Sequence, residues 1–248
     1  MSADALGRLT RRTTADGRAT GSPDAGTPWS PQSLAALDGR CLLGLDRSGV
    51  LNPIPLVPGA VPSSAHHMTL HHNARTLLSA DDGITALGAS TRYAALGDGK
   101  GRVHLWSLRD PGLGARTVEP HRSGVTAVAC LDLPDTGTLL LLTGGLDGAV
   151  RLWDSGSGEL MPGPVERRNA IPTALGAADT EAGPVLAVAW SDRRIHLWHL
   201  FSGRVAPLPA LHDSSAVALT ADGRLLTAGA GGLHALRLDL DGLWADEG

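Results

Sequence analysis

Short apolar segments alternate with turn-forming segments along most of this chain. The clearest example runs from Leu139 to Asp154, where an apolar segment is followed by glycine and aspartate and then by a second, alternating segment. Glycine and aspartate tolerate the positive φ angles of a tight turn. Residues 150–153 alternate between two faces of an extended strand, with Val150 and Leu152 on the same face. The pattern predicts two antiparallel strands joined by a tight turn.

The closing part of this pattern occurs three times in the chain. A β-branched residue, a polar residue, leucine and tryptophan follow one another in three segments: 103–106, 150–153 and 195–198. Their tryptophans, Trp106, Trp153 and Trp198, are 47 and 45 residues apart. A nearly constant period of this size predicts repeated structural units of a few strands each.

The unit from His121 to Asp154 resembles a WD repeat, the unit of the WD-repeat β-propeller family. Such repeats commonly start near a histidine, pass through two strands and an aspartate-bearing turn, and end at Trp-Asp. By position, the residues that match the family's hydrogen-bonded structural tetrad are His121, Thr143, Asp147 and Trp153. The resemblance implies that the histidine pairs with the aspartate and the hydroxyl with the indole N–H, since buried polar groups need partners. We assign these residues no catalytic role, and expect Trp153→Phe to destabilise the fold by about 1–3 kcal/mol.

The resemblance implies an all-β fold, a β-propeller of WD-type four-stranded blades, with about five irregular blades or six. Residues 29–248 are expected to form it, with repeats near 32–57, 83–118, 121–165, 170–207 and 212–242. Residues 1–28 are small and polar, which predicts a flexible tail, with a degenerate blade as the alternative. Propellers close with about four to eight blades. With only five or six repeats, the chain is expected to close as an irregular ring, to associate with a second copy through exposed sheet edges, or to be part of a longer protein.

Two other repeats depart from the tetrad. In the repeat near 83–118, Lys100 stands where the aspartate is expected, so that the aspartate is missing or displaced to Asp98. In the repeat near 170–207, Arg168 stands near the histidine position and Val188 replaces the threonine, whereas Asp192 keeps the place of the aspartate. We therefore expect a complete tetrad only in the repeat near 121–165.

Four histidines are clustered between the repeats, at His66, His67, His71 and His72. Imidazole is a common metal ligand, but this cluster contains no Cys, Asp or Glu and lacks a His-Glu-x-x-His spacing. We treat the four as weak metal-ligand candidates and predict a solvated loop or irregular strand without a metal or cofactor. No nucleophile elbow, P-loop or paired-cysteine motif occurs in the sequence, so the chain is predicted not to be an enzyme.

Composition indicates the class of protein and the compartment in which it is found. The 248 residues are 42% hydrophobic and 19% charged, which predicts a folded chain with a sizeable core. The net charge of −4 does not indicate nucleic-acid binding. Two cysteines, without a signal peptide or an apolar segment of about 20 residues, predict a cytoplasmic protein outside the membrane. All but one of the 21 basic residues are arginine, which is typical of a GC-rich genome, and we interpret the chain as bacterial.

The predicted function is a non-enzymatic WD-repeat scaffold that mediates protein–protein interaction through propeller faces and loops, because rigid repeats present variable loops. Loop arginines are the candidate contacts to partner proteins: Arg92, Arg109, Arg122, Arg167 and Arg168. The alternative is a regulatory or sensing C-terminal segment of a larger bacterial signalling protein, such as a kinase, protease or ATPase. The sequence identifies neither the partner nor the face that binds it.

Overall fold

The alternating apolar segments form six antiparallel sheets in the computed structural model. The structure describes residues 2–3, 9–12, 19–21, 31–36, 41–46, 51–55, 83–108, 115–154, 159–160, 165–208, 214–230 and 232–244. Sheet 1 contains β1 (Ser2–Ala3), β2 (Leu9–Arg12) and β3 (Ala19–Gly21). Sheet 2 contains β4 (Pro31–Ala36), β5 (Cys41–Asp46) and β6 (Leu51–Pro55). Sheet 1 lies where we predicted a tail or a degenerate blade, and the boundary at residue 28 stays a prediction.

The next four sheets contain most of the described residues. Sheet 3 contains β7 (Ile84–Ala89), β8 (Tyr93–Asp98), β9 (Val103–Ser107) and β10 (Arg116–Val118). Sheet 4 contains β11 (Val125–Leu133), β12 (Thr138–Gly145), β13 (Ala149–Asp154), β14 (Glu159–Leu160) and β15 (Glu166–Arg167), the last two both pairing with β13. Sheet 5 contains β16 (Pro172–Thr180), β17 (Gly183–Trp190), β18 (Ile195–His199) and β19 (Arg204–Leu208). Sheet 6 contains β20 (Ala216–Leu219), β21 (Arg224–Gly229) and β22 (Gly232–Arg237), and a short helix follows, α1 (Leu240–Trp244).

Tight turns join the second and third strands of sheets 3, 4 and 5. Between β12 and β13 the turn places Gly148 at a φ of 69°, in the left-handed region that glycine adopts without strain. The matching turn between β17 and β18 places Arg193 at the same φ of 69°, which is uncommon for a residue with a side chain. The predicted hairpin at residues 139–154 is therefore present, and its register pairs Thr143 with Arg151 and Leu141 with Trp153.

The apolar core lies between successive sheets. Leu139 and Leu141 face sheet 3, whereas the residues that alternate with them, Leu140 and Leu142, face sheet 5. Sheets 2 and 3 enclose a similar cluster around Trp106, and sheets 5 and 6 enclose another cluster. Each inner sheet thus buries both of its faces against its two neighbours.

Threonines at matching positions also link consecutive sheets. The hydroxyl of Thr85 donates to the carbonyl of Val125 at 2.6 Å, and Thr126 donates to Pro172 at 2.6 Å. Thr173 in turn donates to the carbonyl of Ser214 at 3.0 Å. These three bonds repeat the same connection from sheet 3 to sheet 6. The contacts between neighbouring sheets therefore repeat with the same period as the sequence.

This arrangement confirms the predicted fold class, an all-β propeller built of antiparallel sheets. Among the described residues, however, the sheets do not close into a ring. Sheets 3, 4 and 5 have the four strands expected of a blade, with the outer strand of sheet 4 in two pieces. The other three sheets contain three described strands each. The described chain is therefore an open arc of blades.

Candidate functional site

His121 ties the loop before β11 to sheet 4 through two hydrogen bonds. Its Nδ1 lies 2.9 Å from Asp147 Oδ1, and its Nε2 lies 2.9 Å from Thr143 Oγ1. Because a carboxylate only accepts, Nδ1–H donates to Asp147. Burial lowers the pKa of His121 below its ordinary value of 6.5, and the hydrogen bond to Asp147 offsets only part of that effect, so the imidazole is neutral at pH 7. In the neutral imidazole Nε2 accepts the proton of the Thr143 hydroxyl.

Trp153 does not join this network, although the resemblance implies that it should. Its Nε1 is buried and has no hydrogen-bond partner among the described residues. In the register of β12 and β13, Trp153 lies opposite Leu141, two residues away from Thr143. The indole packs against the core between sheets 3 and 4, and the guanidinium carbon of Arg116 lies 5.1 Å from its ring centroid. Three of the four predicted residues are thus connected, and the fourth contributes packing.

Asp98 takes the place of the missing aspartate in sheet 3. It is buried and accepts hydrogen bonds from the backbone N–H groups of Lys100 and Arg102, at 2.9 and 3.0 Å. Its Oδ2 also accepts from Arg102 Nε at 2.8 Å and from His104 Nε2 at 3.1 Å. Burial alone would raise the pKa of Asp98, but these hydrogen bonds together outweigh it and lower the pKa. The aspartate is therefore displaced by two positions rather than absent.

The histidine of sheet 3 comes from a strand instead of a loop. His104 lies on β9, two residues before Trp106, and its Nδ1 is hydrogen-bonded to the hydroxyl of Thr117 at 3.0 Å. Sequence reasoning missed this residue because it searched for a histidine before the first strand. The signal was present in the repeated closing pattern, in which His104 and His196 occupy the same polar position.

Arg168 takes the place of His121 in sheet 5. Its Nη2 donates to Asp192 Oδ2 at 2.7 Å, which replaces the pairing of His121 with Asp147. Its guanidinium carbon lies 5.0 Å from the ring centroid of buried Trp190. The predicted departure from the tetrad is present, but an ion pair fills the gap.

Glu166 takes the role of the missing hydroxyl in sheet 5. Its Oε1 accepts from His196 Nδ1 at 2.6 Å, and its Oε2 accepts from Trp198 Nε1 at 2.7 Å. Val188, at the threonine position, pairs with His196 in the register of β17 and β18. Trp198 thus has the partner that Trp153 lacks, but the partner comes from the outer strand of the preceding sheet. A glutamate in a two-residue strand gave no sequence signal for this role.

The candidate contact arginines fall into two groups. Arg92 and Arg168 are engaged within the chain. Arg92 binds Asp132 through Nε at 3.1 Å and donates from Nη1 to the carbonyl of Gly137 at 2.7 Å, which clamps sheet 3 to the β11–β12 turn. The exposed members are Arg122 and Arg167. Arg109 lies outside the described residues.

The exposed arginines belong to one edge of the sheets. We define the loop edge as the turns 99–101, 146–148 and 191–194 together with the loops 119–124 and 167–171. Two aliphatic side chains are exposed there, Leu146 at 55% and Ile171 at 37%. Sequence reasoning missed them, although a leucine between glycine and aspartate in a turn is a visible exception to a polar pattern. Phe201, at 70% exposure, lies at the opposite end of β18.

The weak metal-ligand candidates, His66, His67, His71 and His72, all lie outside the described residues. In the part of the chain that the structure describes, no three His, Cys, Asp or Glu residues are grouped so that they could hold a metal ion. No helix among the described residues is long and apolar enough to span a membrane.

Residues 115–154 match the family model of the WD40 repeat, described as WD domain, G-beta repeat. No curated protein matches the sequence. Among solved structures, a chain of the mitotic checkpoint complex is similar with a TM-score of 0.56 and 19% identity, over 89% of this chain and 64% of that chain. The computationally designed Ika8 protein is similar with a TM-score of 0.53 and 17% identity, over 90% of this chain and 62% of that one. The designed Ika4 protein has a TM-score of 0.50 and 21% identity, over 64% of this chain and 92% of that one.

At these identities the likeness to solved structures shows the fold alone, and the chain spans less than two thirds of the length of two of them. The match to the family model, in contrast, falls on a defined part of the chain. It begins at β10 and continues through the first three strands of sheet 4, so that it contains the whole network around His121. Residues 115–154 therefore form a WD40 repeat, and the resemblance of the chain to the WD-repeat β-propeller family is confirmed.

Proposed function

We propose that this chain is a non-enzymatic, cytoplasmic scaffold that binds other proteins through the loop edge of its sheets. One observation carries the proposal. In sheets 3, 4 and 5, the imidazoles are bound within the fold, three of them to carboxylates and His199 to a backbone carbonyl. In contrast, Leu146 and Ile171 are exposed on loops. Polar groups bound in this way stabilise sheets, and exposed loops on a rigid support are the usual sites of recognition.

The comparisons support a protein partner. WD40 repeats generally serve as non-catalytic scaffolds, and one of the similar structures is a chain of a multiprotein complex. The alternative, a regulatory segment of a larger bacterial signalling protein, stays a hypothesis. Both roles require a binding surface, so the first experiment concerns that surface.

The test is affinity capture with the immobilised full chain in an extract of the source organism, followed by calorimetry on the purified partner. We expect a protein that untagged chain competes away and that binds the purified chain with a defined stoichiometry. If no captured protein is displaced by untagged chain, or if none binds in calorimetry, the scaffold proposal is wrong. A hydrolytic or metal-dependent activity of the purified chain that the four changes His66→Ala, His67→Ala, His71→Ala and His72→Ala abolish would also contradict it.

A further inference from the structure

The loop edge is continuous from sheet 3 to sheet 5. The backbone N–H of His121 donates to the carbonyl of Gly101 at 3.2 Å, and the N–H of Arg168 donates to the carbonyl of Gly148 at 2.9 Å. These two bonds occupy matching positions, and each joins a turn of one sheet to the loop that enters the next sheet. Turns that would otherwise be separate therefore form one surface.

Backbone hydrogen bonds also fix the two exposed aliphatic residues within this surface. The N–H of Leu146 donates to the carbonyl of Gly124 at 2.9 Å, and the N–H of Ser191 donates to the carbonyl of Ile171 at 2.8 Å. The Ser191 hydroxyl also accepts from the N–H of Ile171 at 2.9 Å. A Cβ on Gly124 would lie 3.3 Å from Leu146 Cδ1, so the leucine lies over the glycine. Both aliphatic residues are thus presented from a preformed backbone, which reduces the entropy lost on binding.

Exposed cationic side chains occur in the same turns and loops as these two residues. The exposed basic residues of the loop edge are Lys100, Arg122, Arg167, Arg193 and Arg194. Its exposed acidic residues are Glu119 and Asp192, and Asp192 is bound to Arg168 at 2.7 Å. The chain as a whole carries a net charge of −4, so the positive charge of this edge is a local feature. A surface of this sign attracts and orients acidic partners.

We propose that the loop edge binds a short acidic segment of a partner protein, with an aliphatic or aromatic residue placed against Leu146 and Ile171. This inference rests on the proposed scaffold function and names the chemistry of its partner. Apolar anchors supply most of the binding energy in such contacts, and carboxylates beside them pair with the surrounding arginines. Nucleic acid fits less well, because its single strands bind by stacking on aromatic rings and the described aromatic residues lie outside the loop edge.

The experiment is selection of phage-displayed random dodecapeptides on the immobilised full chain, followed by anisotropy measurements with labelled copies of the selected peptides. We expect enrichment of peptides in which two or more Asp or Glu flank an aliphatic or aromatic residue. Leu146→Asp should raise the dissociation constant about tenfold or more, because it removes an anchor and repels the peptide. Arg122→Glu should raise it severalfold and should make the affinity less sensitive to salt.

Phe201→Asp is the matched control, because it places the same charge at another exposed large apolar residue, on the opposite edge. It should leave the dissociation constant unchanged. Thermal melts of all three variants verify folding, and Ile171→Ser provides a second, milder test of the anchor.

The outcomes separate this inference from the scaffold function. Selected peptides that lose affinity with Phe201→Asp instead of Leu146→Asp would overturn the loop edge as the site and leave the scaffold proposal standing. Enrichment of basic or uncharged peptides, or tighter binding of labelled dT20 than of any peptide, would overturn the acidic partner. No enrichment at all would overturn the inference, while affinity capture still tests the scaffold function separately.

Discussion

Sheets 4 and 5 bind the aspartate of a tight turn with different side chains. Sheet 4 places neutral His121 between Asp147 and Thr143, with the imidazole side chain fully enclosed. Sheet 5 places Arg168 at the same position, paired with Asp192, whose side chain is 36% exposed. The first solution depends on burial and hydrogen bonding, and the second depends on charge near the surface. The contrast teaches that a position can keep its structural role after its residue type and its electrostatics have changed.

The contrast predicts unequal effects when each central residue is removed. His121→Ala leaves the buried Thr143 hydroxyl and one Asp147 oxygen without their partner, and should lower the free energy of unfolding by about 3 kcal/mol. Arg168→Ala exposes Asp192 to water, which replaces the lost bond, and should lower it by about 1 kcal/mol. Urea unfolding of both variants measures the difference.

Arg122→Ala is the control for these variants, since it removes an exposed side chain next to His121 and should change the free energy of unfolding by less than about 0.5 kcal/mol. An Arg168→Ala variant that is destabilised as much as His121→Ala would show that burial does not distinguish the two networks.

The closing tryptophans allow a second, finer comparison. Trp198 donates to Glu166, so Trp198→Phe leaves a carboxylate oxygen without this donor and should destabilise by about 1–2 kcal/mol. Trp153 has no described partner for its Nε1, so Trp153→Phe loses only contact area. It should cost less than about 1 kcal/mol, which replaces the larger cost of about 1–3 kcal/mol expected from a tetrad bond. Equal losses of stability in the two variants would indicate that the Glu166 bond contributes nothing and that packing alone decides.

This second comparison also shows where reasoning from sequence stops. The spacing of Trp153 from Asp147 matched the family pattern and implied a bond to Thr143. Whether an indole reaches a hydroxyl depends on side-chain direction across two strands, which the residue pattern does not specify. The register at Thr143 and Leu141 was needed to show that the indole turns into the core.

Other parts of the networks were within reach of the sequence. The period of the closing tryptophans predicted the repeating sheets, and the resemblance to a WD repeat implied the pairing of His121 with Asp147. The departures at Arg168 and Val188 were visible, but they indicated only a loss, whereas Lys100 left the aspartate either missing or displaced to Asp98. Their replacements, Glu166 and His104, come from strands, and a polar residue in a strand more often faces solvent. The closing pattern shows that His104 and His196 share one position, but the groups that they bind depend on three-dimensional proximity.

The neutral state of His121 predicts a dependence of stability on pH. Burial lowers the pKa of His121 below its ordinary value of 6.5. Above 6.5 the histidine is neutral in both the folded and the unfolded chain and contributes no dependence. As the pH falls below 6.5, the unfolded chain binds a proton that the folded chain does not, so stability falls.

His121→Gln removes this titration, which allows its size to be measured. Between pH 7.5 and 5.5, wild-type chain should lose about 1 kcal/mol more unfolding free energy than the His121→Gln variant. Arg168→Ala, as the control, should keep the wild-type dependence on pH. If His121→Gln also keeps it, the imidazole of His121 titrates alike in the folded and the unfolded chain, and burial does not lower its pKa.

Salt separates the two networks by their smallest expected difference. The Arg168–Asp192 pair lies partly in water, so counterions screen it. The destabilisation caused by Arg168→Ala should therefore shrink by about 0.5 kcal/mol when the NaCl concentration is raised from about 0.1 M to about 1 M. The destabilisation caused by His121→Ala should stay constant, because a neutral imidazole inside the sheet has no charge to screen. Since salt also strengthens apolar burial in every variant, each loss is taken relative to wild-type chain at the same salt concentration. If salt reduces the destabilisation of both variants equally, the networks of sheets 4 and 5 do not differ in their dependence on charge.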